Sequence, residues 1–443
     1  MPQPQHATLA RRHAAVQRIM GILLMLFSAT MLPPMLVDLV YEGSMFGAFG
    51  KSLAITLLTG ALIWLPVRDN RVELKTREGF LITVLFWVVL SLFGAIPLYT
   101  SGRAWYTYTD ALFETVSGLT TTGATVVASG LDALPHALLY YRAQLHWFGG
   151  MGIIVLAVAV LPMLGIGGMQ LYKAEAPGPV KDAKLTPRIT GTARALWLVY
   201  VSLTAACALT YWLLGMNLFD AVCHAFSTLA TGGFSTHDAS IGYFDSVAIE
   251  WACILFMLAG ASNFGLHYLA FEQRSLSGYL RDTEFRTFLA LIAVMGVLVC
   301  VPLYLLQVYP FLGTSLRKGF FQLVAYATNT GFRTADPSAW PGFIPMLLVL
   351  ATFMVSCAGG TGGGVKAVRL VLFVKQAGRE LKRLVHPNAE VAIKLDGKVV
   401  DNDVVYAIGG FFSVYIGMTI VLTFLMMATG LDAVTAFSAV AAC

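Results

Sequence analysis

TDALFETVSGLTTTGA (Thr109–Ala124), FDAVCHAFSTLATGGF (Phe219–Phe234) and RKGFFQLVAYATNTGF (Arg317–Phe332) are three copies of one unit. Gly123, Gly233 and Gly331 each follow Asp110, Asp220 and Lys318 by thirteen residues. Every copy is a short apolar, helix-capable run that ends in Thr/Asn/Gly and lies between long hydrophobic segments. Single turns of this kind are ordinary. Three at one offset are the mark of a repeated architecture. A fourth copy, LDAVTAFSAVAAC, opens at Leu431 with Asp432 in the aspartate position and reaches Cys443 before any glycine. Its counterpart glycine is expected about two residues further on, within a few residues. A chain of this extent is expected not to conduct selectively, because one quarter of the repeat is incomplete.

Working outward, the flanking segments are long enough to cross a bilayer. With 57% hydrophobic and 12% charged residues, the composition is not that of a soluble globular domain. Nine spans are predicted, at 19–40, 52–67, 80–98, 138–164, 196–214, 247–271, 288–306, 343–374 and 404–428. The first is too long for the apolar core of a signal peptide and has no small-residue cleavage site. Of the 29 Lys and Arg, most fall on one side: Arg11, Arg12, Arg18 and the segments 68–77, 173–194, 274–286 and 366–398. The remaining loops hold Lys51, Arg103, Arg142, Arg317, Lys318 and Arg333. The positive-inside bias then places the N-terminus in the cytoplasm and the repeated turns outside. Topology explains the basic face, so no nucleic-acid partner is inferred. Cys207, Cys223, Cys253, Cys300, Cys357 and Cys443 are scattered without metal-ligand spacing and read as small hydrophobes.

The organisation is a preamble (1–78) with two spans, three membrane–pore–membrane units (79–194, 195–286 and 287–403) and a fourth, incomplete one (404–443). Segment 172–194, with three prolines, reads as a cytoplasmic loop. The polar stretch 375–403 is the best surface for a soluble partner. The fold class is thus an all-α integral membrane protein, built of repeated units around a pseudo-fourfold pore, with two extra N-terminal helices.

A run of about twelve residues cannot cross a membrane. It must enter and return, and its irregular return strand must border protein or water, because lipid satisfies no backbone group. Glycine lets successive carbonyls point inward. Rings of carbonyls replace a cation's hydration shell, and the helix C-termini add partial negative charge. The candidate filter residues are therefore Thr120, Thr121, Thr122 and Gly123; Thr231, Gly232 and Gly233; Asn329, Thr330 and Gly331. Potassium, the substrate, is the only metal ion expected. No transition-metal site and no bound cofactor are inferred.

SCAGGTGGG (Ser356–Gly364) interrupts the run 343–374 with five glycines in nine residues. At ~1 kcal/mol each relative to alanine, they oppose a continuous helix. The helix should break at membrane depth, where a loop is tolerated beside a cavity. Cys357, Ala358, Gly359, Gly360, Thr361, Gly362, Gly363 and Gly364 are the candidate gate. A phosphate loop is excluded, since Val365 separates Gly364 from Lys366 and Ala367 follows. Gly359 and Gly363 have the spacing of a helix-packing pair, which is the competing reading. Lys366 and Arg369 read as span-end anchors, or as transmitters of a partner's motion to the loop. Asp110, Asp220 and Asp432 suit helix caps, with attraction of cations at the outer mouth as the alternative. Glu114 would face packed space behind the filter. His146, Trp147, Asn263 and His267 read as interhelical hydrogen-bonding residues.

The turns TTTGA (120–124), ATGGF (230–234) and ATNTGF (327–332), the block QLHWFGGMGIIVLAVAVLPMLGIGGMQLYKAEAPGPVKDAKLTPRI (144–189) and SCAGGTGGGVKAVR (356–369) resemble the TrkH/Ktr potassium-uptake superfamily, TrkH-type subunits most closely, over nearly the whole chain. The resemblance implies four membrane–pore–membrane units around one K⁺ path in a bacterial inner membrane, and a gating role for the glycine-rich loop. It also implies a homodimer with one pore per subunit, and regulation by a cytoplasmic nucleotide-binding ring of RCK (TrkA-type) subunits. Transport would be passive or coupled to an ion gradient. A poorly selective or sodium-coupled alkali-cation transporter and a non-functional fragment are the alternatives. Gly232 before Gly233 departs from the family pattern and is expected to loosen the second turn. No nucleophile–base arrangement favours an enzyme. Repeats in one orientation favour a pore over a transporter built of inverted repeats.

Overall fold

The computed structural model describes residues 5–41, 43–70, 76–105, 107–160, 189–354 and 356–443. They form two compact units, one ending at Tyr243 and one beginning at Phe244. The division falls inside the predicted second membrane–pore–membrane unit, after its turn and before its next long helix.

The first unit opens with α1 (Gln5–Ser28), α2 (Leu32–Tyr41) and α3 (Phe46–Trp64), the predicted preamble. Then come α4 (Thr76–Thr100), the short α5 (Tyr108–Leu119) and α6 (His136–Val160), followed by α7 (Ile189–Leu213) and the short α8 (Leu218–Leu229). At 1.5 Å per residue the 25 residues of α4 suffice to span hydrocarbon, whereas the 12 residues of α5 and of α8 do not. The core behind α5 is aromatic and aliphatic. Tyr141 is fully buried, meets Phe49 edge-on, and donates its hydroxyl to the Gly94 carbonyl at 2.9 Å. The predicted loop 172–194 lies outside the described residues through 188. Its remainder is helical, since α7 already begins at Ile189.

The second unit holds α9 (Val247–Ala261), α10 (Phe264–Gln273), the single turn α11 (Ser277–Arg281), α12 (Thr283–Leu305) and α13 (Leu312–Ala327). After these come α14 (Ile344–Met354), α15 (Ala367–Val385), a two-residue hairpin of β1 (Lys394–Leu395) and β2 (Lys398–Val399), α16 (Asn402–Met427) and α17 (Ala433–Ala442). The run 343–374 divides where its glycines require. The predicted span 247–271 is not continuous either: α9 and α10 bend by 98° at Ser262–Asn263. Asn263 caps α10, its Oδ1 accepting the Gly265 N–H at 2.8 Å. The polar stretch after 375 is not a loop at first. Helix α15 carries on to Val385, and the hairpin then packs Ile393 and Leu395 with Val368, Leu372, Val405 and Ile408.

Leu62, Leu213, Leu255 and Val414 are exposed on long apolar helices. A soluble surface would not carry so much apolar area, and lipid accounts for it. The chain is an all-α, multi-pass membrane protein.

Candidate functional site

The three repeated turns share one backbone solution. After α5, the Thr121 N–H reaches the Gly118 carbonyl at 3.2 Å and Thr122 N–H reaches Ser117 at 2.9 Å. After α8, Thr231 reaches Thr228 at 3.1 Å and Gly232 reaches Ser227 at 2.9 Å. After α13, Asn329 reaches Tyr326 at 2.9 Å and Thr330 reaches Ala325 at 2.8 Å. These are the paired bonds of a Schellman helix end, which needs a left-handed residue. That residue is usually glycine, but here it is Thr121 (φ 55°), Thr231 (φ 52°) and Asn329 (φ 57°). A β-branched residue in this region is an outlier and costs on the order of 1–2 kcal/mol. Two residues on, Gly123, Gly233 and Gly331 have φ of 78°, 82° and 76°. The same geometry recurs in three different sequences, which marks it as a built feature.

Within the first unit, the first two turns touch. A Cβ on Gly123 would lie 2.0 Å from the Gly232 carbonyl oxygen. Gly232 is not a loosening residue: a Cβ there would lie 2.4 Å from His146 Nδ1. His146 is buried and stacks on Phe234 at 4.0 Å, and its Nδ1 accepts the Phe234 N–H at 3.4 Å. Helix α6 supports both turns by lacking side chains. A Cβ on Gly149 would meet the Leu119 carbonyl at 2.1 Å, and one on Gly150 would meet Ala230 Cα at 2.7 Å. That is the physical content of HWFGG. Trp147 donates to Thr204 Oγ1 at 3.2 Å, an interhelical bond as expected.

The acidic residues stand at the starts of the short helices. Thr107 and Asp110 form a reciprocal capping box at the start of α5. Asp220 occupies the same third position in α8, where its carboxylate accepts from Asn217 Nδ2 (2.7 Å), Thr236 Oγ1 (2.6 Å) and His237 Nε2 (3.0 Å). Asp432 differs: it is itself the N-cap of α17, accepting the Thr435 N–H at 3.1 Å. Its counterparts are therefore Thr107 and Asn217, one turn earlier than the aspartate position that the repeat suggests.

His237 lies between Asp220 and Asp132, at 3.0 and 2.5 Å, and stacks on Tyr243 at 3.5 Å. With a carboxylate at each nitrogen, both nitrogens must donate, which is the imidazolium form. Burial works against that charge, but the bonds to Asp220 and Asp132 outweigh it and hold His237 above its ordinary pKa. The hydrogen bond from His237 holds Asp132 below the usual carboxylate value.

Arg142 is not a loop residue. It is buried in α6 against Glu114, Nη2 to Oε1 at 2.8 Å. Arg317 and Lys318 likewise lie in α13, where both meet the buried Glu250 at 3.1 and 2.7 Å. In both cases the cue was a charge on a short helix and its opposite inside a long apolar run.

In the second unit, the glycine-rich loop is fastened to the broken helix pair. Cys357 N–H donates to Ala261 O (2.9 Å), Thr361 N–H to Gly260 O (3.0 Å), and Phe264 N–H to Gly359 O (3.0 Å). The carbonyls freed at the end of α9 are thus used by the loop. A Cβ on Gly360 would lie 2.6 Å from both Ala261 O and Ser262 O. Glu284 Oε1 accepts from Ala358 N–H in the loop at 2.7 Å and from Val368 N–H in the first turn of α15 at 3.2 Å. Ser356 Oγ donates to the Gly362 and Gly363 carbonyls. Lys366 turns its ammonium back onto Gly362 O instead of outward, while Arg369 sits over the Phe411 ring at 4.2 Å. The loop adjoins the third turn: Cβ atoms on Gly363 and Gly362 would lie 2.5 Å from the Asn329 side chain and 3.1 Å from Thr328 O. Gly364 packs against Thr352 O with φ 76°.

Asn263 therefore caps a helix beside the loop instead of bridging helices, and His267 bonds Tyr279 Oη (2.5 Å) and Ala259 O (2.9 Å). The break at 262–263 and the anchor Glu284 escaped sequence reading. The cue for the break was GASNFG, a capping pair between glycines.

The TrkH family profile, described as a cation transport protein, matches residues 47–443. The chain is 53% identical over 427 residues to the Trk system potassium uptake protein TrkH of Halomonas elongata, covering 96% of this chain and 88% of the relative. It is 51% identical to the protein of the same name from Escherichia coli K12, with 97% and 88% covered. The crystal structure of the potassium transporter TrkH from Vibrio parahaemolyticus superposes with a TM-score of 0.87 at 47% identity, over 97% of this chain and 89% of that one. The chain belongs to the TrkH family of cation transport proteins.

Proposed function

We propose that this chain is the ion-translocating subunit of a Trk-type potassium uptake system in a bacterial inner membrane, with its N-terminus in the cytoplasm. The observation that carries the reading is the shared turn: Thr121, Thr231 and Asn329 held left-handed, each two residues before a left-handed glycine. Chain segments of this shape expose successive carbonyl oxygens, and carbonyls of fixed position replace the water around a dehydrated alkali cation. The short helices α5, α8 and α13 end at these turns, so the negative ends of their dipoles favour a cation and disfavour an anion. No covalent step is needed. Potassium is the substrate, and the four-unit arrangement implied by the repeats is the frame in which the turns act.

The loop Cys357–Gly364 is the gate in this reading. Its neighbours Asn329 and Thr328 belong to a filter turn, and its backbone is held by hydrogen bonds that a small displacement would exchange for water. Lys366 and Arg369 open α15, whose basic end and following hairpin offer a surface to a cytoplasmic TrkA-type ring. The family resemblance adds a homodimer.

The test is K⁺ uptake in bacteria lacking their own uptake systems, using the chain carried to the full length of its relatives. Restored growth on low potassium, with flux that prefers K⁺ over Na⁺, is expected. A folded protein in the membrane that restores no uptake, or that passes Na⁺ equally, would overturn the reading.

A further inference from the structure

Glu114, His224 and Gln322 each stand nine residues before a turn glycine, on α5, α8 and α13. All three are fully buried. Each bonds the return strand of its own turn, by different chemistry. Glu114 accepts the Thr125 hydroxyl at 2.9 Å and the Val126 N–H at 3.1 Å. His224 Nε2 meets Ser235 Oγ at 2.9 Å. Gln322 Nε2 donates to Ala335 O at 2.8 Å. The common register shows that the fold needs a polar strut here. The first strut is a carboxylate, and it is paired with a buried guanidinium.

Arg142 does more than neutralise Glu114. Its Nε donates to Glu114 Oε1 at 2.8 Å, and Nη2 reaches Thr125 Oγ1 at 3.3 Å, on the first return strand. Its Nη1 donates to Ser235 O at 3.2 Å, and its guanidinium lies 4.2 Å from the Phe234 ring centroid, both on the second return strand. One planar fork thus fixes two neighbouring strands, as a lysine's single ammonium would not. The separation being fixed is the one at which Gly123 meets the Gly232 carbonyl. Burying two charges is a costly way to gain stability, since apolar replacements of such pairs are often neutral or better. What the pair supplies here is geometry.

We propose that Arg142 and Glu114 are positioning residues for cation selection, a clamp setting the spacing between the carbonyls of the first two turns; this rests on reading those turns as the filter. The clamp acts through the strands and does not touch the ion.

The test uses the chain carried to the full length of its relatives, reconstituted in liposomes, with the K⁺/Na⁺ permeability ratio as readout. Thermal unfolding and the amount of folded protein are followed alongside. Arg142→Lys keeps the charge but loses the fork. It is expected to stay folded and conduct, with the ratio lowered by about fivefold or more. The neutral pair Glu114→Gln/Arg142→Met removes the buried charges together, so that neither is stranded. It should lower the ratio as well, with unfolding little changed. Gly123→Ser is the control on the filter itself. If that control lowers the ratio while Arg142→Lys and the neutral pair leave it unchanged, the clamp is refuted and the filter reading stands. If Gly123→Ser also leaves it unchanged, the filter reading falls and the clamp with it. If Arg142→Lys does not fold, the neutral pair decides: an unchanged ratio there refutes the clamp.

Discussion

The three repeated turns and the glycine-rich loop are both irregular backbone, yet they are held in different ways. Each turn is closed by hydrogen bonds to its own helix, never more than five or six residues back: Thr122 to Ser117, Gly232 to Ser227, Thr330 to Ala325 and Gly331 to Ala325. The loop has local bonds from Ser356 and Lys366 to Gly362, but it is also fastened to other elements. Ala261, Gly260, Phe264 and Glu284 hold it from α9, α10 and α12. Locally closed backbone is stiff, since the same few residues that make the bonds lose the freedom. Backbone fastened at a distance can be released by moving the partner. Stiffness suits a site that must present fixed carbonyls, and releasability suits a gate.

The largest expected effect tests the stiff half. Gly123→Ser places a Cβ against the Gly232 carbonyl, a backbone atom that cannot swing aside, and strains a residue at φ 78°. The K⁺/Na⁺ preference should fall about tenfold or more, with less folded protein. Gly331→Ser meets no atom within 4 Å, so only the conformational term of ~1–2 kcal/mol remains, and its loss of selectivity should be smaller. Ion flux measured in both variants breaks the comparison if the two are equal, or if neither differs from the parent.

The same contrast explains what could be read in the sequence. Turns closed by their own helices keep their closing bonds within sixteen residues, and so the three copies were legible, with their glycines and their short helices; the supports from His146, Gly149 and Gly150 lie outside that window. The loop showed its glycines, hence its break, but not its partners. Glu284 lies more than seventy residues before Ala358, and Ala261 and Phe264 belong to a helix pair that hydropathy alone reads as one span. Hydropathy cannot register a 98° bend when both arms are apolar. Arg142 was counted among the loop charges although it falls inside the predicted span 138–164, because a charge in an apolar run is explained only once its buried partner, Glu114, is known.

The next effect tests the releasable half. Shortening Gly359–Gly363 removes the bonds from Thr361 N–H to the Gly260 carbonyl and from Phe264 N–H to the Gly359 carbonyl that help hold the loop. Uptake should rise several-fold and depend less on the cytoplasmic partner, with the K⁺/Na⁺ ratio kept. Because Gly363 borders Asn329, a fall in selectivity would show that the loop props the third turn, and lower flux in a folded protein would show packing alone. Glu284→Gln is the milder version. A bond from a backbone N–H to a charged group contributes roughly 1.5–3 kcal/mol, and the amide keeps one acceptor. A shift of about 1 kcal/mol, or roughly fivefold in the open fraction, should raise uptake without touching selectivity. Unchanged uptake would mean that the loop is not held shut by this carboxylate.

The smallest effect lies where the two modes meet. The second turn is closed locally, but the strand leaving it is pinned from a distance, by His237 between Asp220 and Asp132. The carboxylates raise the pKa of His237 in spite of its burial. A raised histidine pKa means that the folded protein holds the proton more tightly than the unfolded chain. The pin is therefore at full strength below the ordinary histidine value of about 6.5 and fades as pH climbs through the folded value. Asp132 is half exposed, so solvent screens the pair, and under ~1 kcal/mol is at stake. Thermal unfolding in detergent at acidic and alkaline pH should show the parent losing more stability on the alkaline side than His237→Gln does. His224, whose ring lies 6.5 Å away, and Tyr243, stacked on His237, stay in both proteins, so the difference isolates the pin. Selectivity should be the same in the two proteins, because the turn bonds from Gly232 and Thr231 do not involve His237. A change in K⁺/Na⁺ preference with pH that disappears in the variant would show that the second turn depends on its distant pin, and the division between locally closed filter and remotely held gate would no longer hold for that quarter.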